Sequence, residues 1–345
     1  MLTPVRKWCK FVRRWKNYGK LMWQYWRHAE PSTGEGRTAS AVYIDSFRGT
    51  DRAYFNLCWP FHKQDWTIYI RNRPAFVATL GLYDSWIMTL DGVKITRQSP
   101  YDLGVEVYFT DGAHRPRVAP ECRVIQISFD YLLHETAGRF HWPIGIHPAA
   151  RKCECELRHG SVTGQGNRPI RVFFAGHIQH VNYWKLHTEY KLVPRPKLIA
   201  ILREKFMPQL AMPVAKRNNW CCYGVPIVLF DRALCPLPRE AYFSGLSNSV
   251  FSLCGGGGQN YPHCHNLVES MMLGTIPIVD YAEYMHPPLR DMRNCLAFEG
   301  EEGFEKTIER ALTLDDAQVE QLRRGVLEYY DKHLYKKNDY HHYNL

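Results

Sequence analysis

Residues 251–281 read FSLCGGGGQNYPHCHNLVESMMLGTIPIVDY. The segment opens on the end of an apolar run, SVFSLC (249–254), of strand length and β-prone composition. Four glycines follow, Gly255–Gly258, then the polar positions Gln259, Tyr261, His263, His265 and Asn266. A helix-like stretch then leads into a second strand-like run, TIPIVDY (275–281). Strand, loop, helix and strand in that order describe a parallel α/β unit. In open α/β sheets ligands lie beyond the carboxyl ends of the strands, and the loop at 255–262 is at such an end. Glycines let the backbone approach a ligand closely and take positive φ. The first amides of the next helix are unpaired and carry the positive end of its dipole, so the loop suits a diphosphate. It is not the dinucleotide fingerprint, because Asn260 and Tyr261 stand where the third glycine of G-x-G-x-x-G would fall. It is not a P-loop, because no Gly-Lys-Ser/Thr follows. The plainer alternative is a surface turn.

Glu269 lies four residues after His265, so both side chains can share one helix face. Its carboxylate could accept hydrogen bonds from both hydroxyls of a ribose. Asn266-Leu-Val-Glu269 also reads as a capping box, with Glu269 reaching back to the Asn266 amide. Both readings stand at this point.

Outward from this segment the same alternation continues. AVYID (41–45), WTIYIR (66–71), SWIMTL (85–90), VEVYFTD (105–111) and RVIQISFDY (123–131) are short strand-like runs bounded by polar, Gly or Pro positions. FHWPIGIHP (140–148) closes this first half. CECELRHGSVTGQGNRP (153–169) has linker composition. IRVFFAG (170–176), GVPIVLF (224–230), SVFSLC, TIPIVDY and CLAF (295–298) form a second series of strands. PKLIAILREKF (196–206), EEGFEKTIERAL (301–312) and 315–334 read as helices, the last capped by Thr313 or an aspartate. The expected organisation is a basic aromatic segment and linker over 1–39, one α/β domain over 40–152, a linker over 153–169, a second α/β domain over 170–335 and a tail over 336–345. Two doubly wound halves facing a cleft are the simplest architecture for 345 residues.

The net charge of +10 favours anionic partners. Residues 1–28 contribute eight basic side chains (Arg6, Lys7, Lys10, Arg13, Arg14, Lys16, Lys20 and Arg27) and no acidic one. Trp8, Phe11, Val12, Trp15, Met22 and Trp26 recur through them at mostly helical spacing. Such a helix suits an anionic bilayer surface; alternatively its stripe packs on the chain's own body. No run approaches the roughly 20 apolar residues of a membrane span. The 11 cysteines follow no disulfide framework and read as reduced and cytosolic. The sets Cys153, Cys155, His159 and Cys254, His263, Cys264, His265 lack zinc-ligand spacing, and no metal or cofactor is expected. Nucleic-acid binding would suit the charge, but no helix-turn-helix, zinc-finger or RNP-like signature is present.

The stretch from Phe251 to Val279 resembles the donor-binding segment of GT-B glycosyltransferases, especially the exostosin-like family. There a strand, a glycine-rich loop, a histidine-containing turn and an E-a-L-x-x-G-x-I-P-V pattern occur in this order. FFAGHIQHVNYW (173–184), which contains His177, is similar to the opening of the same domain. An arginine common after the histidine in that family is Asn266 here, so the cation that neutralises phosphate has no candidate. In the first half, VYFTDGAHRP (107–116) followed by ISFDY (127–131) is similar to bacterial α1,3-fucosyltransferases, in which a carboxylate of that turn acts as base. The family's glutamate aligns with Gly112, and Asp111 is the nearest carboxylate. That family's own donor motif is absent from 251–281.

The resemblance implies the GT-B fold and sugar transfer from a nucleotide-activated donor to a glycan or glycolipid hydroxyl, inverting and metal-independent; the cysteine content and the segment 1–28 add a cytoplasmic location, peripheral at a membrane. Gly255–Gly258, Gln259, Tyr261, His263, His265, Asn266, Glu269 and His177 would bind the donor. Asp111 would be the base, with Asp45 and His147 next in line. A non-catalytic nucleotide- or lipid-binding protein of the same fold, or a basic nucleic-acid-binding protein, is the alternative.

Overall fold

A computed structural model of the chain describes residues 12, 15–23, 40–47, 51–80, 86–112, 116–128, 139–141, 145–162, 168–179, 184, 189–214, 220–256 and 262–334. They divide into two units, each built on a six-stranded parallel sheet.

The first unit takes residues up to 129 and 135–142. Its strands are β1 (Ala41–Asp45), β2 (Thr67–Arg71), β3 (Val93–Thr96), β4 (Val107–Thr110), β5 (Arg123–Ser128) and β6 (Arg139–His141), in the order β3-β2-β1-β4-β5-β6. Every pairing is parallel. β1 and β4 are buried along their whole length, as the central strands of a sheet covered on both faces must be. Helices α2 (Asp51–His62) and α3 (Pro74–Leu80) cover one face through Tyr54, Phe55, Phe61 and Phe76. The strand order reverses between β1 and β4, and a doubly wound sheet opens its crevice at that point.

Two expectations are corrected here. SWIMTL is not a strand: Trp86–Thr89 forms a 3-10 turn with Ile87 buried. The strand is the following VKIT, β3. FHWPIGIHP holds the end of β6 and then crosses into the second unit.

The basic segment is described at residue 12 and over a helix, α1 (15–23). Leu21 is buried against Val77 and Ile95, with Tyr18 and Met22 beside it, and the Tyr18 hydroxyl donates to Asn72 Oδ1 at 3.0 Å. One face of α1 therefore packs on the chain's own body, while Trp15 and Trp23 stay exposed. Trp8, Phe11 and Trp26 lie outside the described residues, as does the tail over 336–345. Among the described residues no helix is long and apolar enough to cross a membrane.

The second unit runs from Pro143. Its sheet has the order β12-β11-β10-β7-β9-β8, from β7 (Ile170–Gly176), β8 (Leu210–Ala211), β9 (Ile227–Asp231), β10 (Ser249–Leu253), β11 (Ile276–Val279) and β12 (Leu296–Ala297). These strands are parallel as well. The order reverses between β7 and β10. The expected linker 153–169 is corrected too: helices α4 (Pro148–Lys152) and α5 (Glu154–Val162) follow each other directly. Glu154 is buried, paired with Arg151, and accepts the Tyr330 hydroxyl. The remaining helices are α6 (Arg195–Lys205), α7 (Arg239–Ser247), α8 (His265–Met272), α9 (Gly300–Thr313) and α10 (Asp316–Tyr329). Asp315 closes a capping box with Gln318 at the start of α10, so the aspartate, not Thr313, is the cap. Gly274 ends α8 at φ +65°, a left-handed turn that glycine adopts without strain.

Candidate functional site

The glycine loop leaves β10 at the reversal point of the second sheet, beside the end of β7. Gly255 and Gly256 are buried there; Gly257, Gly258, Gln259 and Tyr261 lie outside the described residues. A Cβ on Gly255 would come within 3.2 Å of Leu198 Cδ1, so glycine allows the close approach of this strand end to α6.

The guanidinium of Arg195, the first residue of α6, organises the region. It is buried, and its Nη2 donates to the carbonyls of Gly255 at 2.9 Å and Gly256 at 3.0 Å. Its Nη1 donates to the His177 carbonyl at 3.0 Å. Arg195 thus ties the loop after β7 to the loop after β10. A trans peptide is planar, so the Gly256 amide, which shares a peptide unit with the Gly255 carbonyl, points away from Arg195. One buried cation therefore sits behind the loop, with the Gly256 amide directed away from it. This residue was missed in the sequence. Its only local sign is an arginine enclosed by Pro194 and Pro196 at a helix start.

The helix after the loop begins with Cys264 at its N-cap, and no side chain caps it. Asn266 and Glu269 are buried. The capping-box alternative does not form: Glu269 Oε1 accepts instead from the His147 amide at 3.0 Å. Its Oε2 lies 3.9 Å from His265 Nε2, and the His265 side chain is partly exposed. Burial, and then the neighbouring Glu269, push the Tyr242 phenol well above its ordinary value. The residues brought together around the loop are thus Arg195, Asn266, Glu269 and His265, with the carbonyl of His177. His263 is turned elsewhere: it is buried, and its Nε2 lies 2.7 Å from the Tyr284 carbonyl, so its ring braces the chain beyond β11. Asp280 closes β11 on the same carboxyl edge. Its Oδ2 accepts from the Val193 amide at 2.8 Å, and burial raises its carboxyl to about 7.

In the first unit the corresponding edge carries Asp45, the last residue of β1, and Asp111, just after β4. Asp111 Oδ1 accepts the Phe47 amide at 2.8 Å, a bond that bridges the reversal point. Asp45 is fully buried and taken up by Arg71, Arg73 and Tyr108. His147 belongs to the second unit, where its Nδ1 accepts from the Ala149 amide at 3.2 Å at the start of α4. Among the described residues no three His, Cys, Asp or Glu side chains converge in a metal-holding group.

No protein-family model matches the chain, and no curated protein does. Among solved structures the chain is similar to AviGT4, a glycosyltransferase involved in avilamycin A biosynthesis, at 9% identity and a TM-score of 0.45, covering 84% of this chain and 92% of that one. It is similar to HepE of Anabaena in complex with UDP and glucose at 12% identity and a TM-score of 0.44, covering 85% and 95%. An α1,3-fucosyltransferase is similar at 11% identity and a TM-score of 0.36, covering 90% and 96%.

Proposed function

We propose that the chain is a GT-B glycosyltransferase that moves a sugar from a nucleotide-activated donor to a hydroxyl of a glycan or glycolipid. The observation that carries this reading is the Gly255–Gly256 segment at the reversal point of the second sheet, held from behind by the buried guanidinium of Arg195. A leaving diphosphate needs amides and a cation preorganised around it, and both occur there. Glu269 and His265, on the first turns of α8, would contact the rest of the nucleotide in this reading. The acceptor hydroxyl needs a base, and Asp111 at the reversal point of the first sheet is the residue we assign, which makes the transfer inverting. The diphosphate charge is carried by Arg195 and the helix end, so the reaction is metal-independent in this reading. Trp15 and Trp23, exposed on a basic helix, suit an anionic membrane surface. Vesicles containing anionic lipid should lose the protein when residues 1–28 are deleted; equal binding by the truncated chain overturns that part.

The test of the main reading is a panel of nucleoside diphosphates and nucleotide sugars in thermal melts. A ligand at 100 times its dissociation constant adds about 2.7 kcal/mol. One nucleotide should raise the melting temperature, and its sugar adduct should be hydrolysed or transferred. A panel without any shift refutes nucleotide binding.

A further inference from the structure

The carboxyl edge of the first sheet gathers two guanidinium groups on one buried acid. Asp45 Oδ2 accepts from Arg71 Nη1 at 2.9 Å, from Arg73 Nη2 at 3.1 Å and from the Tyr108 hydroxyl at 2.8 Å, and Oδ1 accepts from Arg73 Nε. Burial alone would raise the Asp45 carboxyl, but the bonds from Arg73 and Tyr108 and the charge of Arg71 outweigh it and hold the group below its ordinary value. One carboxylate therefore anchors two guanidinium groups, and it can neutralise only one. The Arg71 and Arg73 side chains are 42% and 25% exposed, so both reach the surface. The Arg73 guanidinium carbon lies over the Phe47 ring at 4.0 Å from its centroid, and Phe47 is 52% exposed. The Phe47 amide is held in turn by Asp111.

Two forked donors pinned by a buried acid, a flat aromatic ring beside them and a carboxylate one bond further on are thus collected at the point where this sheet reverses its strand order. Guanidinium forks match oxyanions in two-point geometry, and an exposed aromatic face suits the apolar face of a sugar ring. We infer that this edge of the first unit is a binding subsite for a sugar that carries an oxyanion, with the oxyanion on Arg71 and Arg73 and the ring against Phe47. Under the glycosyl-transfer reading, on which this wording rests, the bound sugar is the acceptor and its hydroxyl faces Asp111. The oxyanion can be a hexuronate carboxylate or a sugar phosphate.

The test is calorimetric titration of the full chain, without nucleotide, against methyl glucuronide, glucose 6-phosphate and methyl glucoside. At least one anionic sugar should bind about tenfold or more tightly than the neutral one, the usual weight of a charge-assisted contact, and the stronger of the two identifies the source of the oxyanion. Arg71→Gln, whose amide can still donate to Asp45, should abolish that preference while the fold, checked by melting, stays intact. Phe47→Ala, on an exposed ring, should weaken all three sugars. Equal binding of anionic and neutral sugars by the parent chain overturns the inference. So does a folded Arg71→Gln variant that keeps the preference. If Arg71→Gln does not fold, unchanged binding by Phe47→Ala overturns it instead. Nucleoside diphosphate titrated into the same samples separates the two readings: sugar binding without nucleotide binding keeps the subsite and refutes transfer, and the converse result refutes the subsite alone.

Discussion

Arg195→Met should damage both the stability of the second unit and its affinity for nucleotides, by amounts that follow from its three hydrogen bonds. The substitution leaves the carbonyls of Gly255, Gly256 and His177 without their donor. Gly255 and Gly256 are buried, whereas His177 is exposed and its carbonyl can turn to water. Each buried acceptor left unmade costs about 1–3 kcal/mol. Two give about 2–6 kcal/mol, and entry of water into the loop keeps the sum in the lower half, about 3 kcal/mol. In a domain of this size 1 kcal/mol shifts the melting temperature by about 2–4 °C, so a fall of about 6–12 °C is expected. Arg195→Lys keeps the charge but has no planar fork with which to hold both loops. It should lose much of the stability and less of the nucleotide affinity. Calorimetric melts, with titrations of nucleoside diphosphate into both variants, read the two effects separately. The expected dissociation constant for the Met variant is about tenfold higher or more, because the loop amides lose the orientation that Arg195 gives them and an amide bond to an anion is worth about 1.5–3 kcal/mol. An unchanged melting temperature would show that the loops do not depend on Arg195. A lower melting temperature with unchanged nucleotide affinity would leave Arg195 a purely structural strut and remove the cation from the proposed site.

Glu269→Gln should keep an oxygen for the His147 amide and so melt near the parent, while nucleotide affinity falls about tenfold; a melting loss without an affinity change would assign Glu269 to the core alone. Asp111→Asn can still accept the Phe47 amide, so binding should persist while turnover drops about a hundredfold or more; near-normal turnover excludes Asp111 as the base. Asp280 holds its proton to about pH 7 in the folded chain, against an ordinary value of 3.8. Its stabilising contribution is therefore complete below the ordinary value and is lost as pH rises through about 7, at most about 4 kcal/mol over that window. Asp280→Asn, compared with the parent from pH 4 to 8 by denaturant unfolding, should remove this decline; parallel curves would show that the carboxyl titrates normally.

The elements legible in the sequence were those whose environment is uniform along the chain. AVYID, VYFT and IPIV lie in sheet interiors covered on both faces, and a continuous apolar run of strand length is the signature of that position. β3 was not legible, because VKIT buries only Ile95 and carries a lysine, as an edge strand does. WIMT is apolar but packs as a single turn against α2, and short apolar runs do not separate the two conformations. The stretch 153–169 reads as a linker because Glu154, Glu156, Arg158 and His159 look solvated. Glu154 is in fact buried by Tyr330, 176 residues further along the chain, a partner that no local window contains.

The candidate site divides in the same way, and the division bears on how the chain can work. The loop and helix could be read locally because glycines, helix amides and the spacing of His265 and Glu269 act within one turn of backbone. The charge could not, because Arg195 reaches Gly255 across 60 residues of sequence. Under the proposed function, Asn266 in the place of the arginine of the exostosin-like pattern is therefore a question about where charge sits in space rather than about one sequence position. A cation on the helix that follows the loop would meet the phosphate directly. A cation placed behind the loop acts through the carbonyls it holds, fixing the direction of the amides before ligand arrives. The second arrangement makes affinity depend on loop geometry as well as on charge. For this reason Arg195→Lys, which changes the geometry and spares the charge, distinguishes the two more sharply than any substitution at Asn266.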